Sequence, residues 1–366
     1  MSRKTSRIDS ILDCGEALLR GDAEPCPIVI TTRIRLARNL AGQPFPGWAK
    51  EGQRRDILDR FMAAMGLVDE LHGAVSLPMD GLSALEKQIL AESHLISREL
   101  MGAKSFAGLV AQPSDGCSIM INEEDHLRIQ MMQAGMALEP LWERVNALDD
   151  AIEGRLDYAF SPRLGYLTSC PTNLGTAIRA SAMMHLPGLV LKGHIEQVIR
   201  MVNQLGIAVR GHFGEGSEAS GSIFQISNQQ TLGEDEMSII RRLHNVLDAV
   251  IEQERNARLW LVEEKGETLY DKIGRARGML QNAYVLSSGE AMEHLSMIRL
   301  GVDLGMFAEQ WRVATDRLMI ECQPGHMQRR AEAELEPARR DVLRAALLRE
   351  SFSELPALTR IETSAQ

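Results

Sequence analysis

Aromatic residues make up only 4% of this 366-residue chain, and its five cysteines, Cys14, Cys26, Cys117, Cys170 and Cys322, show no CxxC spacing. An odd, unclustered set excludes a closed disulfide framework and a cysteine-based zinc site, and it suits a reducing cytoplasm. Long apolar runs are missing as well, so no segment reads as a membrane span. The opening Met1-Ser-Arg-Lys-Thr-Ser-Arg-Ile has no apolar stretch of signal-peptide type. The expectation is a soluble, cytoplasmic protein. A formal net charge of −10 disfavours nucleic acid and favours cationic partners. The familiar nucleotide motifs are absent too: no GxxxxGK[ST], no GxGxxG after a first strand, and no HRD/DFG pair. Any phosphate held by this chain must be held by side chains.

Apolar residues account for 45% of the chain, enough to bury a core without covalent staples. The length suits one large domain plus a smaller one. Residues 1–20 read as a short amphipathic lead-in with Ile11, Leu12, Leu18 and Leu19. Ile28–Ile30 is a short β-branched strand leading into Thr31-Thr-Arg-Ile-Arg-Leu-Ala-Arg38. Helical periodicity covers Arg54–Met65 and Leu82–Leu100. Cys117–Ile121 and His126–Met132 read as strands around an Asn-Glu-Glu-Asp turn. In the second, Leu127, Ile129 and Met131 alternate with His126, Arg128 and Gln130; carried back, that parity puts Glu124 on the side of Arg128.

A helix over Glu139–Glu153, a hairpin near Ser161-Pro-Arg-Leu-Gly, and the Cys170 loop follow. The segment after that loop reads as helical up to Pro187, and a second helix covers Ile195–Leu205. Strands at Ile207–Phe213 and Ser222–Ser227 flank a glycine-rich stretch. Thr231-Leu-Gly-Glu234 has the form of a capping box, opening a helix whose Ile239, Ile240, Leu243, Val246, Leu247, Val250 and Ile251 make one stripe. Beyond about 262 only helical patterns remain, which places a boundary near 260. The domains expected are 21–260 and 261–366. The fold class is α+β: an antiparallel sheet flanked by helices, then an all-helical C-terminal domain. No internal repeat is evident.

Arginine greatly outnumbers lysine, and its planar fork suits phosphate oxygens. Arg33, Arg35, Arg128, Arg179 and Arg210 each precede or end a strand or turn, where functional groups gather. A single arginine so placed is ordinarily a solvated surface residue; five inside such strings are harder to dismiss. Glu123 and Glu124 form a carboxylate pair of a kind usually solvated in turns. Cys170 stands before Pro171 and near arginines, which would favour its thiolate, although a lone cysteine is more often a small buried residue. Together these groups suit phosphoryl transfer to a guanidinium nitrogen. A protonated guanidinium is a poor nucleophile, so a carboxylate must orient it and accept its proton, and a second can hold the far side of the fork. His126 and His185 read as structural.

Four strings, Thr-Arg-Ile-Arg-Leu-Ala-Arg-Asn, Asn-Glu-Glu-Asp-His-Leu-Arg-Ile, Cys-Pro-Thr-Asn-Leu-Gly-Thr and Ile-Phe-Gln-Ile-Ser-Asn, resemble the signature segments of the phosphagen (guanidino) kinases. The likeness runs from about Ile28 to about Gly233. The resemblance implies that Glu124 is the base, that Glu215 or Glu218 supplies the second carboxylate, and that Cys170 orients the acceptor without becoming a covalent nucleophile. It implies a nucleotide site for ATP with Mg2+ built from Thr31, Thr32, Arg33, Ile34, Arg35, His94, Arg128, Arg179, Ala180, Ser181, Ala182, Met183, Arg210, Gly211, His212, Phe213, Gly214 and Glu215. Few protein ligands to the magnesium are implied, and no metal-ligating residue is singled out.

Only about thirty residues precede the first arginine string, and the extra helices lie at the C-terminus. That layout resembles the protein-arginine kinase branch, not the kinases of free metabolites. Arg340-Asp341-Val-Leu-Arg344-Ala345 resembles that branch's RDxxRA motif for phosphoarginine. Arg340 and Arg344 share a helix face at i and i+4, although a charged solvent-facing helix gives the same string. The branch implies protein substrates with accessible arginines, a homodimer, a zinc-bearing activator and a Clp-type unfoldase that degrades the marked proteins. Two positions depart from the wider family. Ala177 replaces a glycine, adding a methyl that crowds the arginine approach. Phe213 stands where metabolite kinases carry a phosphate-binding arginine, which leaves Arg210 as the substitute. The rival readings are a kinase of free arginine or a related guanidino metabolite, and a non-catalytic phosphoarginine-binding adaptor.

Overall fold

The computed structural model describes residues 8–12, 27–103, 105–112, 115–211 and 220–361. In chain order its strands are β1 (Val29–Arg38), β2 (Val75–Pro78), β3 (Gly108–Gln112), β4 (Cys117–Ile121) and β5 (Leu127–Ala134). After these come β6 (Phe160–Ser161), β7 (Gly165–Tyr166), β8 (Ile178–His185), β9 (Ile207–Gly211) and β10 (Ile223–Asn228). One sheet has the order β2-β3-β4-β5-β1-β8-β10-β9, and β6 and β7 form a separate hairpin. The pairs β2–β3, β3–β4, β4–β5 and β5–β1 are antiparallel. Helices accompany the sheet, and the C-terminal region is helical, so the fold is α+β as the sequence pattern implies.

Strand β1 is longer than its β-branched start suggests, running on through the arginine string to Arg38. The segment expected to be helical after the Cys170 loop is instead β8. Alanine and methionine favour helix locally, but the Ala180 amide donates to Asn228 Oδ1 at 2.8 Å and Asn228 Nδ2 donates to the Ile178 carbonyl at 3.0 Å. Ala180 and Ala182 are buried. Thr231 does not cap the following helix, which spans Glu236–Asn282. Asp235 lies just before it and accepts from the Ser238 amide at 2.7 Å.

The chain forms two compact units, one containing Thr31–Ala182 and Ser227–Asn245, the other Met183–Ile226 and Val246–Gln366. In the first, the helix Leu138–Glu153 buries Leu141, Val145, Leu148 and Ile152 at helical spacing. Ile8 and Ile11 join a core with Leu77, Met79, Leu90, Leu100 and Leu109. The boundary expected near 260 falls within the helix Glu236–Asn282, whose helical geometry is interrupted at Lys265 (φ −133°, ψ 23°). The second unit packs Leu269, Ile273, Leu280, Leu295, Ile298, Leu318, Leu348 and Phe352 into one core. Its helix Ser288–Asp303 starts from a reciprocal cap: the Glu290 amide donates to Ser287 Oγ, and the Ser287 amide donates to Glu290 Oε2 at 3.0 Å. Among the described residues no helix is long and apolar enough to cross a membrane.

Candidate active site

Alternation along β1 separates its arginines by face. Arg33 and Arg35 lie opposite Met132 and Gln130 of β5, and Ala37 lies opposite Arg128. Residues paired across antiparallel strands share a face, so Arg33, Arg35 and Arg128 emerge together. Arg179 sits on β8, the neighbour of β1 on its other side. Burial, then the charges of Arg179 and Arg128, push the Arg33 guanidinium down to about 10. Arg35 is likewise held well below its ordinary value, by burial and by Arg33, Arg128 and Arg179, with Glu123 acting in the opposite sense. Four cations therefore lie within electrostatic range of one another. Such a cluster is costly in isolation and is suited to a polyanion.

Arg38, on the other face, has a different task. Its Nη2 donates to Asp149 Oδ2 at 2.6 Å, and its guanidinium lies 3.6 Å from the centre of the Tyr166 ring. Thr32 and Ile34 also point away from the arginine face. Thr32 Oγ1 donates to the Gly135 carbonyl at 2.6 Å, and Ile34 is fully buried. Thr31 is buried on the arginine side, its Oγ1 without a hydrogen-bond partner among the described residues. His94 holds a left-handed conformation (φ 59°), and its carbonyl accepts from Gln130 Nε2 at 2.7 Å. Because Gln130 faces Arg35, that bond brings the His94 backbone to the cation cluster.

The acidic turn between β4 and β5 is closed by the Asn122 amide donating to the His126 carbonyl at 2.9 Å, with Asn122 itself left-handed (φ 56°). Arg128 donates to both carboxylates of the turn, to Glu123 at 2.8 Å and to Glu124 at 3.0 Å. Glu123 is buried, hydrogen-bonded by the Ser97 hydroxyl, and raised above the usual carboxylate range by burial. Glu124 is exposed. Of the pair, only Glu124 is open to an incoming acceptor. His126 is structural: its Nδ1 accepts from the Leu40 amide at 3.0 Å, so the proton lies on Nε2, which donates to the Pro44 carbonyl at 3.0 Å. Burial lowers its pKa and keeps the ring neutral.

The Cys170 loop is anchored at several points. The half-buried Cys170 Sγ lies 3.0 Å from Thr172 Oγ1. Thr231, expected to cap a helix, instead donates its hydroxyl to the carbonyls of Leu174 at 2.7 Å and Thr172 at 3.1 Å. Gly175 (φ 104°) leaves no room for a side chain, since a Cβ would meet the Thr231 carbonyl oxygen at 2.1 Å. Ala177 is also left-handed (φ 53°), so its methyl strains the backbone where a glycine would be at ease. Asp125 joins this loop to the acidic turn, accepting from the Ser169 amide at 2.7 Å. Asn39, Asp125, Ser169 and Thr231 were not among the expected site residues. Asn39 and Asp125 stand inside the signature strings, but their pairing joins segments far apart in sequence.

Ala180, Ser181 and Ala182 are buried in β8, where the Ser181 hydroxyl approaches the Arg33 carbonyl at 3.5 Å. Met183, Arg210 and Gly211 belong to the second unit, and Met183 packs in its core. His212, Phe213, Gly214, Glu215 and Glu218 lie outside the described residues. In the helix Pro337–Ser351, Arg344 is buried. It donates to the carbonyls of Cys322 at 2.7 Å and Leu286 at 2.8 Å, and to Asp341 Oδ1 at 2.5 Å. Ala345 is fully buried, while Arg340 is half-buried with Nη1 donating to the Leu335 carbonyl at 3.1 Å.

Residues 57–257 match the family described as ATP:guanido phosphotransferase, C-terminal catalytic domain, and residues 266–363 match the protein-arginine kinase McsB C-terminal domain. The chain is 47% identical over 327 residues to the protein-arginine kinase of Geobacillus stearothermophilus, covering 88% of this chain and 90% of that protein. It is 42% identical over 334 residues to that of Brevibacillus brevis (strain 47), covering 91% and 94%. Among solved structures it resembles a lombricine kinase at TM-score 0.57 and 27% identity, covering 66% of this chain and 70% of that one. A substrate-free duplicated taurocyamine kinase from Schistosoma mansoni, at TM-score 0.55 and 22% identity over 75% of this chain and 47% of its own, shares the fold. The fold is that of a guanidino phosphotransferase. Within that class, the chain belongs to the protein-arginine kinase family.

Proposed function

We propose that this chain transfers the γ-phosphoryl group of ATP to arginine side chains of proteins, giving ADP and N-phosphoarginine. The observation that carries the reading is the convergence of Arg33, Arg35, Arg128 and Arg179 beside a turn holding one buried and one exposed carboxylate. The cations take the triphosphate, and Glu124 takes the acceptor. In the reaction a guanidinium nitrogen forms a bond to the γ-phosphorus, the bond from that phosphorus to the bridging oxygen breaks, and ADP leaves with the electron pair. The nitrogen's proton passes to Glu124. Cys170, with Thr172 at its sulfur, faces the acceptor as an orienting group, and Glu215 or Glu218 holds the far side of the fork. In-line placement and charge neutralisation carry most of such a transfer.

Among the described residues no group of three or more His, Cys, Asp or Glu side chains is arranged to hold a metal ion. Arginines offer no lone pair to a metal ion, so a magnesium ion would come bound to the ATP phosphates and take few protein ligands. Bound there, it would add to the neutralisation of phosphate charge that the arginines provide. His94, Ala180, Ser181 and Ala182, in the same unit as the four arginines, are assigned to the same nucleotide.

The match of the C-terminal helices to the protein-arginine kinase domain supports a wider reading. The protein is cytoplasmic and homodimeric, and its mark directs proteins to a Clp-type protease under stress, with a zinc-bearing activator. Arg340 and Asp341 sense phosphoarginine, while the buried Arg344 and Ala345 form the frame behind them. The test of the central reading is incubation with MgATP and casein, beside free arginine, with Glu124→Gln as control and phosphate located by mass spectrometry under non-acidic conditions. Phosphoarginine on casein, absent from the control, is the expected result. Label on free arginine alone would make this a metabolite kinase, and binding without transfer would make it an adaptor.

A further inference from the structure

Asp125 is fully buried, and among the described residues it forms no ion pair and its Oδ2 has no hydrogen-bond partner. A lone buried carboxylate is costly, so its contacts must be worth the cost. Its Oδ1 accepts from two donors at 2.7 Å, the Ser169 amide and Asn39 Nδ2. Asn39, equally buried at the end of β1, also donates to the Leu167 carbonyl at 2.9 Å and accepts from the His126 amide at 2.9 Å. Ser169 closes the ring, its hydroxyl donating to the Glu124 carbonyl at 2.7 Å. Every bond in this ring joins the acidic turn, the end of β1 and the entry to the Cys170 loop. Asp125 directly follows Glu124 in the chain, and Ser169 directly precedes Cys170.

We infer that Asn39, Asp125 and Ser169 form a clasp that fixes the spacing between the Glu124 carboxylate and the Cys170 thiol, and so positions the acceptor guanidinium. These are positioning residues, since none of them is assigned a contact with substrate. The inference rests on the reading that Glu124 is the base and that the Cys170 loop meets the acceptor. Because the clasp binds none of the four arginines, it governs the acceptor and leaves the nucleotide alone. What it requires at Oδ1 is an acceptor oxygen. An amide oxygen supplies one, so charge on Asp125 is dispensable for positioning.

The test is steady-state kinetics of the full-length protein with casein and MgATP, each varied in turn, together with ADP affinity and a thermal melt. Asp125→Ala is expected to lower kcat/KM for casein by about 10–100-fold, the effect of losing hydrogen bonds to a charged group, with KM for ATP changed less than about twofold. Asp125→Asn is expected to stay within about threefold of the native enzyme, because it keeps an oxygen at Oδ1. Ser169→Ala keeps the amide and every buried charge, and is expected to lose about 3–10-fold on the acceptor side only. Equal shifts in the ATP and casein constants of Asp125→Ala, or Asp125→Asn as impaired as Asp125→Ala, would overturn the clasp. If Asp125→Ala fails to melt cooperatively, Ser169→Ala decides, and native acceptor kinetics in that variant would also overturn it. Glu124→Gln measured alongside separates the two claims: an active Glu124→Gln removes the underlying reading, whereas an inactive one beside an unaffected Ser169→Ala removes the clasp alone.

Discussion

Arg128 reaches back four residues to hold Glu124 at 3.0 Å, while its other terminal nitrogen holds the buried Glu123 at 2.8 Å. One guanidinium thus ties the arginine-bearing face of the sheet to the acidic turn. A lysine cannot span both carboxylates with a planar fork. Arg128→Lys is expected to lose about 10–100-fold in kcat/KM for both ATP and protein acceptor, in line with truncating a half-buried charged pair. Two-substrate kinetics check this. Loss confined to one substrate would show that Arg128 serves only one side.

The cation cluster sets activity against stability. A guanidinium with a folded-state pKa near 10 holds fewer protons folded than unfolded only between that value and its ordinary one. Unfolding therefore takes up protons in that window, so the penalty from Arg33 stands in full at neutral pH and is relieved as pH rises through about 10. Replacing Arg33 or Arg35 with methionine should raise the Tm of the ligand-free protein at pH 7.5 while weakening ATP binding. The stability gap between Arg33→Met and the native protein should narrow from about pH 9 upwards. Calorimetry at several pH values, with ADP affinity measured in parallel, checks both.

Two neighbouring positions in the Cys170 loop should respond in opposite ways. At Gly175 a methyl would meet the Thr231 carbonyl oxygen at 2.1 Å, so Gly175→Ala must displace the loop and should abolish transfer. Ala177, strained at φ 53°, should gain stability of order 1 kcal/mol on replacement by glycine, the cost of a left-handed non-glycine residue. Thermal melts and initial rates on the two variants read both effects. A destabilised Ala177→Gly would mean the methyl's packing outweighs the strain.

In the second unit the buried Asp303 pairs with Arg312 at 2.7 Å, Arg258 at 2.9 Å and Arg299 at 3.3 Å. Removing Asp303 leaves Arg258 with Glu254 at 2.7 Å and Arg299 with Asp316 at 2.6 Å, while Arg312 keeps only Glu309 at 3.9 Å among the described residues. Asp303→Ala should cost about 3–5 kcal/mol, the usual penalty for breaking a buried charged network. His185, buried beside these arginines, is held well below its ordinary pKa by burial and their charges, so it stays neutral and adds no fourth cation. Denaturant unfolding of Asp303→Ala measures the loss.

Much of the site was legible because its residues lie in contiguous strings. The alternation of β5 gave Arg128 its face, and the arginine string placed Arg33 and Arg35 together. Strand β8 was not legible, since Ile-Arg-Ala-Ser-Ala-Met-Met-His has helix-forming residues and almost no β-branching. Its extended form comes from neighbouring strands and from the Asn228 side chain, which local pattern does not show. Thr231 matched a capping-box spacing, yet the loop carbonyls at Thr172 and Leu174 claim its hydroxyl. Asn39, Asp125 and Ser169 carry no local signal of their contact, because it joins positions 39, 125 and 169, a closeness that only the folded chain creates.

The central claim is that Glu124 accepts the proton as a guanidinium nitrogen takes the phosphoryl group. The most direct measurement is single-turnover formation of phosphoarginine on casein by native protein and Glu124→Gln, with ADP affinity determined for both. Unchanged ADP affinity is expected, with a transfer rate about 10²–10⁴-fold lower in the variant, the range for loss of a placed general base. Equal transfer rates in the two proteins would contradict it.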